Sequence, residues 1–192
     1  EEWEVGVKAN WNSVSAQVSG YSAQLEDEIN GFVFDTTQGV YTAANTDGES
    51  SRDGVDVEVT WLHDLAKVSA SYSYLDAEQK DDGIANTELR RARHQGALSV
   101  LSDLGTEKFS LYAKLAYTGT HYDTYFPPYP ANAETLGLSA YTLASVNLGY
   151  NISEKWALSL KVNNLFDTDY EDIVGYAGQE RRALLSVSYS HQ

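Results

Sequence analysis

The chain has no cysteine, which excludes a disulfide framework and a thiolate metal site. Its 3 prolines all fall between Pro127 and Pro130. No apolar run is long enough for a transmembrane helix, although 42% of the residues are hydrophobic. That absence does not exclude a membrane protein, because barrel strands alternate and average out as polar. Basic residues are scarce: 13 Lys and Arg stand against 28 Asp and Glu, a net charge of −15, so phosphates would be repelled and no nucleic-acid partner is expected. No secretory signal opens the chain; Glu1-Glu2-Trp3 starts directly on a strand pattern.

Motifs for chemistry are also missing. No pair among His63, His94, His121 and His191 has metal-ligand spacing, and no nucleophilic-serine or phosphate-loop motif occurs. Glu26-Asp27-Glu28 and Asp81-Asp82 offer oxygen ligands that suit Ca²⁺, but without an EF-hand loop they read as solvated charge. His121 with Asp123 is a weak acid–base pair by the same standard. The expectation is no catalytic residue, no metal and no cofactor.

What the chain does have is alternation. In Val5, Val7, Ala9 and Trp11 the apolar residues are spaced by two, with Gly6, Lys8 and Asn10 between them. The same period runs through Val14–Gly20, Val55–Trp61, Val68–Tyr74, Arg90–Leu101, Phe109–Tyr117, Thr142–Tyr150, Trp156–Val162 and Leu185–Tyr189. Period two means a strand with one apolar and one polar face. The pattern predicts about nine strands and no helix. Turns near residues 12, 64, 104 and 153 are short, whereas the connections near 26–53, 76–89, 118–139 and 167–180 are long. Systematic short and long connections fit the periplasmic turns and extracellular loops of an outer-membrane barrel. Trp3, Trp11, Trp61, Tyr74, Tyr117, Tyr150, Trp156 and Tyr189 lie near strand ends, where interfacial girdles form. A soluble barrel or sandwich would show the same alternation with the apolar face inward. Mid-strand Lys8, Asp56, Glu58, Lys114 and Lys161 favour a wet lumen instead. On that reading Val57, Leu111, Leu158 and Val187 face lipid, while Glu58, Lys114 and Lys161 face the lumen.

The segment Val162-Asn163-Asn164-Leu165-Phe166-Asp167-Thr168-Asp169-Tyr170-Glu171 and the closing Leu185-Ser186-Val187-Ser188-Tyr189 resemble the end of the barrel in TonB-dependent outer-membrane receptors, above all the vitamin B12 (cobalamin) branch. The resemblance extends to the chain's opening residues Glu1–Trp11, to Asn45 with Gly54-Val55-Asp56-Val57-Glu58, and to Arg90–Gly96. It implies an all-β fold: the C-terminal part, residues 1–192, of an antiparallel transmembrane β-barrel of a Gram-negative outer membrane. In that family the barrel has 22 strands around an N-terminal plug; the plug and TonB box have no counterpart here. The odd strand count, and His191 where the family places an aromatic residue, suit a portion of a larger barrel. The first and last strands are then expected not to pair with each other.

By the same resemblance the whole receptor takes up cobalamin or a ferric siderophore, coupled to TonB through the plug. A non-transporting structural or binding barrel, and an outer-membrane enzyme, are the alternatives. The expected partners are outer-membrane lipid, lipopolysaccharide and the small ligand. Loop aromatics Tyr122, Tyr125, Phe126, Tyr129, Tyr170 and Tyr176 are the candidate ligand contacts, because a large amphipathic ligand needs apolar surface with a few polar anchors. Arg91, Arg93 and Arg182 fall on the polar face of their strands and are candidates for the lumen or rim.

Overall fold

A strand that alternates apolar and polar residues must put its apolar side somewhere, and here almost none of it goes into a core. The computed structural model describes residues 1–26, 28–45, 48–81 and 84–191; Asp27 and Asp82 of the acidic clusters, and Gln192, lie outside them. Among the described residues the only buried hydrophobic ones are Ala77, Ala92 and Ala144.

The strands in chain order are β1 (Glu2–Trp11), β2 (Val14–Glu26), β3 (Ile29–Asp35), β4 (Val40–Asn45), β5 (Glu49–His63), β6 (Ala66–Asp81), β7 (Ile84–Thr87), β8 (His94–Ser102), β9 (Phe109–Thr118), β10 (His121–Tyr125), β11 (Glu134–Leu138), β12 (Tyr141–Asn151), β13 (Trp156–Asn163), β14 (Glu171–Ile173), β15 (Tyr176–Ala177) and β16 (Arg182–Tyr189). Nine of them form one wall in the order β1-β2-β5-β6-β8-β9-β12-β13-β16, and β7 adds to β6. Every pairing in the wall is antiparallel. The all-β class and the strand count match the sequence pattern.

The register carries one row of faces around the whole wall. Val7 pairs with Val18, Val18 with Val57, Val57 with Tyr72, Tyr72 with Gly96 and Gly96 with Tyr117. Further along, Leu111 pairs with Leu148, Leu148 with Leu160 and Leu160 with Leu185. Directly opposed residues share a face, so Val57, Leu111, Leu158 and Val187 lie on one side. Glu58, Lys114 and Lys161 lie on the other. The apolar side is open: Val7 is 70% and Leu185 is 67% exposed. The polar side is concave, since a hollow of about 390 Å³ is lined by Gln17, Asp56, Ser71, Gln95 and Lys114 from five neighbouring strands. A continuous apolar band outside and a charged concave side inside is the cross-section of a membrane barrel wall.

At the short-turn end the apolar face carries a belt of Trp11, Trp61, Phe109, Tyr150, Trp156 and Tyr189. Two cross-strand pairs tighten it, Phe109 on Tyr150 and Trp156 on Tyr189, each with ring centroids 4.8 Å apart. The turns below are tight: Asn12 (φ 38°) starts the two-residue β1–β2 connection, and Leu104 and Gly105 (φ 53° and 72°) bend β8 into β9. At the other end β5 and β6, 15 and 16 residues long, exceed the roughly 9–11 residues that a tilted strand needs to cross the hydrocarbon, so they project beyond it.

Three features depart from the sequence expectation. The strand expected from Arg90 starts at His94. The polypeptide turns at Leu89-Arg90, where Arg90 has φ 60° and donates its N–H to the Tyr122 carbonyl at 2.7 Å. Arg91 and Arg93 therefore precede the strand and do not take a face from its alternation. Second, the long connections carry hairpins of their own, β3–β4, β10–β11 and β14–β15. Third, β7 extends the ladder above β6 where an acidic loop was expected. β1 and β16 stand at the two ends of the order, and among the described residues no ladder joins them.

A charge tests the two faces directly. In the full-length receptor, Val59→Arg on the outward face should cost about 2–4 kcal/mol of folding free energy, and Glu58→Arg on the lumenal face about 1 kcal/mol or less. Urea titration of the receptor in lipid vesicles, read by the gel mobility of the folded barrel, measures both; equal costs would contradict the assignment of faces.

Candidate ligand-capture mouth

The mouth is built on the long-connection end, and its organising residues are polar because no apolar core is available there. Asn164 ends β13 in a left-handed conformation (φ 47°) and is buried. Its side-chain amide donates to the carbonyls of Thr168 (2.9 Å) and Gln179 (3.0 Å), and its Oδ1 accepts the Thr168 N–H at 2.9 Å. One side chain thus closes both ends of the 164–179 loop. Asp167 accepts the Arg181 N–H at 2.7 Å, and the Leu165 N–H returns to the Ala144 carbonyl at 2.8 Å. The Asn-Asn-Leu-Phe-Asp run is a loop clasp.

A second centre lies on β10. His121 and Asp123 alternate onto one face and are buried, whereas Tyr122 between them is exposed. Asp123 is the largest fully buried side chain among the described residues, at 1% exposure. One carboxylate oxygen accepts from Arg90 Nε at 2.8 Å, and the other accepts the Val174 N–H at 3.0 Å. His121 Nε2 lies 3.3 Å from the Asp172 carbonyl. Burial alone would raise the Asp123 pKa. The Arg90 hydrogen bond and charge and the Val174 and Thr124 N–H groups outweigh it and hold the carboxyl below its ordinary value.

A third centre joins the earlier loops. Arg52, near the start of β5, grips Glu88 with two bonds of 2.9 Å and reaches Glu28 at 2.5 Å. Ser50 Oγ donates to Glu28 at 2.6 Å. That bond first, then those from Arg52, hold the Glu28 carboxyl below its ordinary value against the opposing effect of burial. Glu88 and Arg90 are two residues apart, so the centres are continuous from Glu28 through Arg52, Glu88, Arg90 and Asp123 to Val174.

The candidate aromatics divide. Phe126 and Tyr129, at the tip between β10 and β11, are 76% and 96% exposed, and Tyr122, Tyr125 and Tyr176 are also exposed. Tyr170 is instead half-buried, packed on Tyr141 with centroids 4.6 Å apart. Gly178 lies beneath it so closely that an added Cβ would come within 2.4 Å of the ring. A hollow of about 490 Å³ separates the two hairpins, lined by Gly137, Ser139, Asp169, Tyr170, Glu171 and Glu180. Of the basic candidates, Arg91 lies 3.4 Å from Glu88, and Arg93 pairs with Asp76 at 2.5 Å. Arg182 stays on the lumenal face opposite Asn163 and has no ion pair among the described residues. Also among the described residues, no group of three His, Asp or Glu side chains gathers as a metal site. The sequence reading did not single out Asn164, Arg90 and Asp123 as joints. The only signal was the His121-x-Asp123 spacing, which puts two polar residues on one strand face.

An open antiparallel wall with an outward apolar band, an aromatic belt, a polar concave side and hairpins at one rim defines an outer-membrane barrel wall. Residues 1–165 match the family described as TonB dependent receptor-like, beta-barrel. The chain belongs to that family, and its place is the outer membrane of a Gram-negative bacterium. It is 25% identical over 191 residues to the vitamin B12 transporter BtuB of Photobacterium profundum, and 25% identical over 179 residues to that of Vibrio cholerae. It spans 98% and 93% of itself in these matches but only 30% and 27% of the relatives' length. Among solved structures it superposes on the pyoverdine outer membrane receptor FpvA of Pseudomonas aeruginosa PAO1 with a TM-score of 0.80 at 16% identity, covering 99% of this chain and 29% of that one. On the ferric-catecholate import receptor Fiu of E. coli K12 the TM-score is 0.74 at 21% identity, covering 98% and 27%.

The Asp123 shift has a pH consequence. A carboxylate whose folded pKa is depressed contributes stability above its unfolded pKa and loses it as pH falls through the folded one. Since the folded value lies below the ordinary 3.8, the joint should stay intact at every pH above about 4. In a ¹³C NMR titration of the full-length receptor the Asp123 carboxyl signal should move only below the range of the exposed aspartates; a midpoint at or above theirs would contradict the ion pair.

Proposed function

We propose that residues 1–192 form the C-terminal part of a TonB-dependent receptor barrel, and that the whole receptor carries out energy-coupled uptake of cobalamin or a ferric siderophore. Membership of the family and similarity to vitamin B12 transporters support the class of activity. The observation that carries the ligand reading is the β10–β11 tip. It puts Tyr125, Phe126 and Tyr129 into solvent at the mouth, braced by Pro127, Pro128 and Pro130. Exposed aromatic rings on a stiffened loop are costly to keep in water and supply apolar area with little ordering entropy when a large amphipathic ligand arrives. Tyr122 and Tyr176 add to the same surface, and Tyr170 shapes the hollow beside it. The receptor works as a transporter and not as an enzyme. TonB acts on it through a plug preceding these residues, and lipid and lipopolysaccharide cover the outward face. Arg91 and Arg93 serve the rim, and Arg182 meets an anionic group in the lumen.

Replacing Tyr125, Phe126 and Tyr129 together with serine in the full-length receptor tests this. Each lost aromatic contact should cost on the order of 1 kcal/mol, so affinity should fall by roughly tenfold or more. Cell binding and uptake of cyanocobalamin, a ferric catecholate and ferric pyoverdine measure it at matched surface amounts. Unchanged binding and uptake of whichever compound the parent takes up would show that the tip is only surface packing.

A further inference from the structure

A charged carboxylate is the last side chain expected to be the largest fully buried one among the described residues of a protein that has almost no core. Burying an ion costs several kcal/mol unless partners meet it on every side, and Asp123 has such partners from two other stretches of chain. Arg90 comes from the segment before β8, 33 residues away, and the Val174 N–H from the β14–β15 turn, 51 residues away. The carboxylate itself stands on β10. The same three stretches are held a second time, by the Arg90 N–H on the Tyr122 carbonyl at 2.7 Å and by His121 Nε2 at 3.3 Å from the Asp172 carbonyl. Asp172 is in turn hydrogen-bonded by the Tyr141 hydroxyl at the start of β12. Arg90 reaches its position only through a left-handed backbone (φ 60°), a conformation that costs free energy in a non-glycine residue.

We propose that Asp123 is a positioning residue that joins the segment before β8, the β10–β11 hairpin and the β14–β15 hairpin into one mechanical unit, so that the aromatic tip is set over the mouth before any ligand arrives. Tyr125 is two positions and Phe126 three positions after Asp123, so fixing the carboxylate fixes the root of the tip. Arg52 extends the unit to the segment at Glu28 through its grip on Glu88. The unit carries affinity by preorganisation: loops already ordered lose less entropy on binding. The joint stands on the geometry alone, whereas its effect on capture rests on the ligand reading of the tip given above.

The test uses the ligand-free full-length receptor in lipid vesicles and amide hydrogen exchange. Asp123→Asn keeps the shape of the side chain but replaces one acceptor oxygen with a donor. It should speed exchange at Val174 by about tenfold or more, as expected for loss of hydrogen bonds to a charged group. Arg90→Ala is the sharper variant, because it removes no partner of Val174. If the three stretches move as a unit, exchange at Val174 rises in that variant too, and the double variant is less than additive. Amides of the membrane strands, such as Leu148, should be unchanged in both, which shows that the wall has folded. Exchange at Val174 that is unaffected by Arg90→Ala overturns the joint. The second arm measures association of cyanocobalamin, a ferric catecholate and ferric pyoverdine with Asp123→Asn. For whichever compound the parent binds, affinity should fall about threefold or more; affinity equal to the parent's overturns the role in capture. If instead the triple serine variant binds normally while Arg90→Ala still loosens Val174, the joint stands and the ligand reading of the tip is what fails.

Discussion

Backbone hydrogen bonding in a medium without water is the constraint on which the rest of this structure depends. In the hydrocarbon an unpaired N–H or C=O costs several kcal/mol, so a spanning strand must be bonded on both sides. Nine strands meet this by continuous antiparallel pairing from β1 to β16. Once the ladder is continuous, the register is no longer free: a shift by one residue would turn every valine and leucine of a strand into the lumen and every lysine and glutamate toward lipid. The two edges, β1 and β16, carry the remaining unpaired groups of the wall, and within a membrane they require partner strands.

Lipid outside and water inside also explain why the protein has so little core. The side chains that would fill a soluble core instead meet acyl chains, which solvate them as well as other side chains do. Above the membrane that option is lost. The rim hairpins are short, and they have no apolar layer to pack on. Their order comes from polar groups whose partners are spread over the chain: Asn164 across the 164–179 loop, Arg52 between Glu28 and Glu88, and Asp123 between Arg90 and Val174. Charge-assisted bonds of this kind are directional and strong where water is excluded. They set loops in a defined pose where dispersion contacts would allow a range.

With the loops held in this way, the rim sorts its aromatics. Tyr170 is consumed by the scaffold, against Tyr141 and over Gly178. Phe126 and Tyr129 are left facing solvent. The contrast separates rings that build the mouth from rings left in solvent, although all of them look alike as loop aromatics. The family match runs over residues 1–165, wall strands and rim hairpins alike. The fold persists at 16–21% identity to the superposed receptors, as expected of an architecture set by alternation and pairing more than by particular side chains.

Reading the wall from the sequence worked because its code is local. Whether Val57 faces lipid depends on a period of two within its own strand, and the neighbours only have to agree with it. Strand number, the two faces, the aromatic belt and the alternation of short and long connections follow from that period and from turn residues. The rim was not legible in the same way. Arg90–Arg93 continue a strand pattern on paper, yet the chain turns there because Arg90 is drawn to Asp123 and to the Tyr122 carbonyl, partners more than 30 residues away. The hairpins β3–β4, β10–β11 and β14–β15 lie in stretches that show no sustained alternation and read as loops. For Asp123 the chain offers only the His121-x-Asp123 spacing, which puts two polar residues on one face without showing that the face is buried. Alternation determined the wall, since lipid and water act on each strand separately; only tertiary structure decided the mouth, since a buried charge takes its place from groups that the fold brings to it.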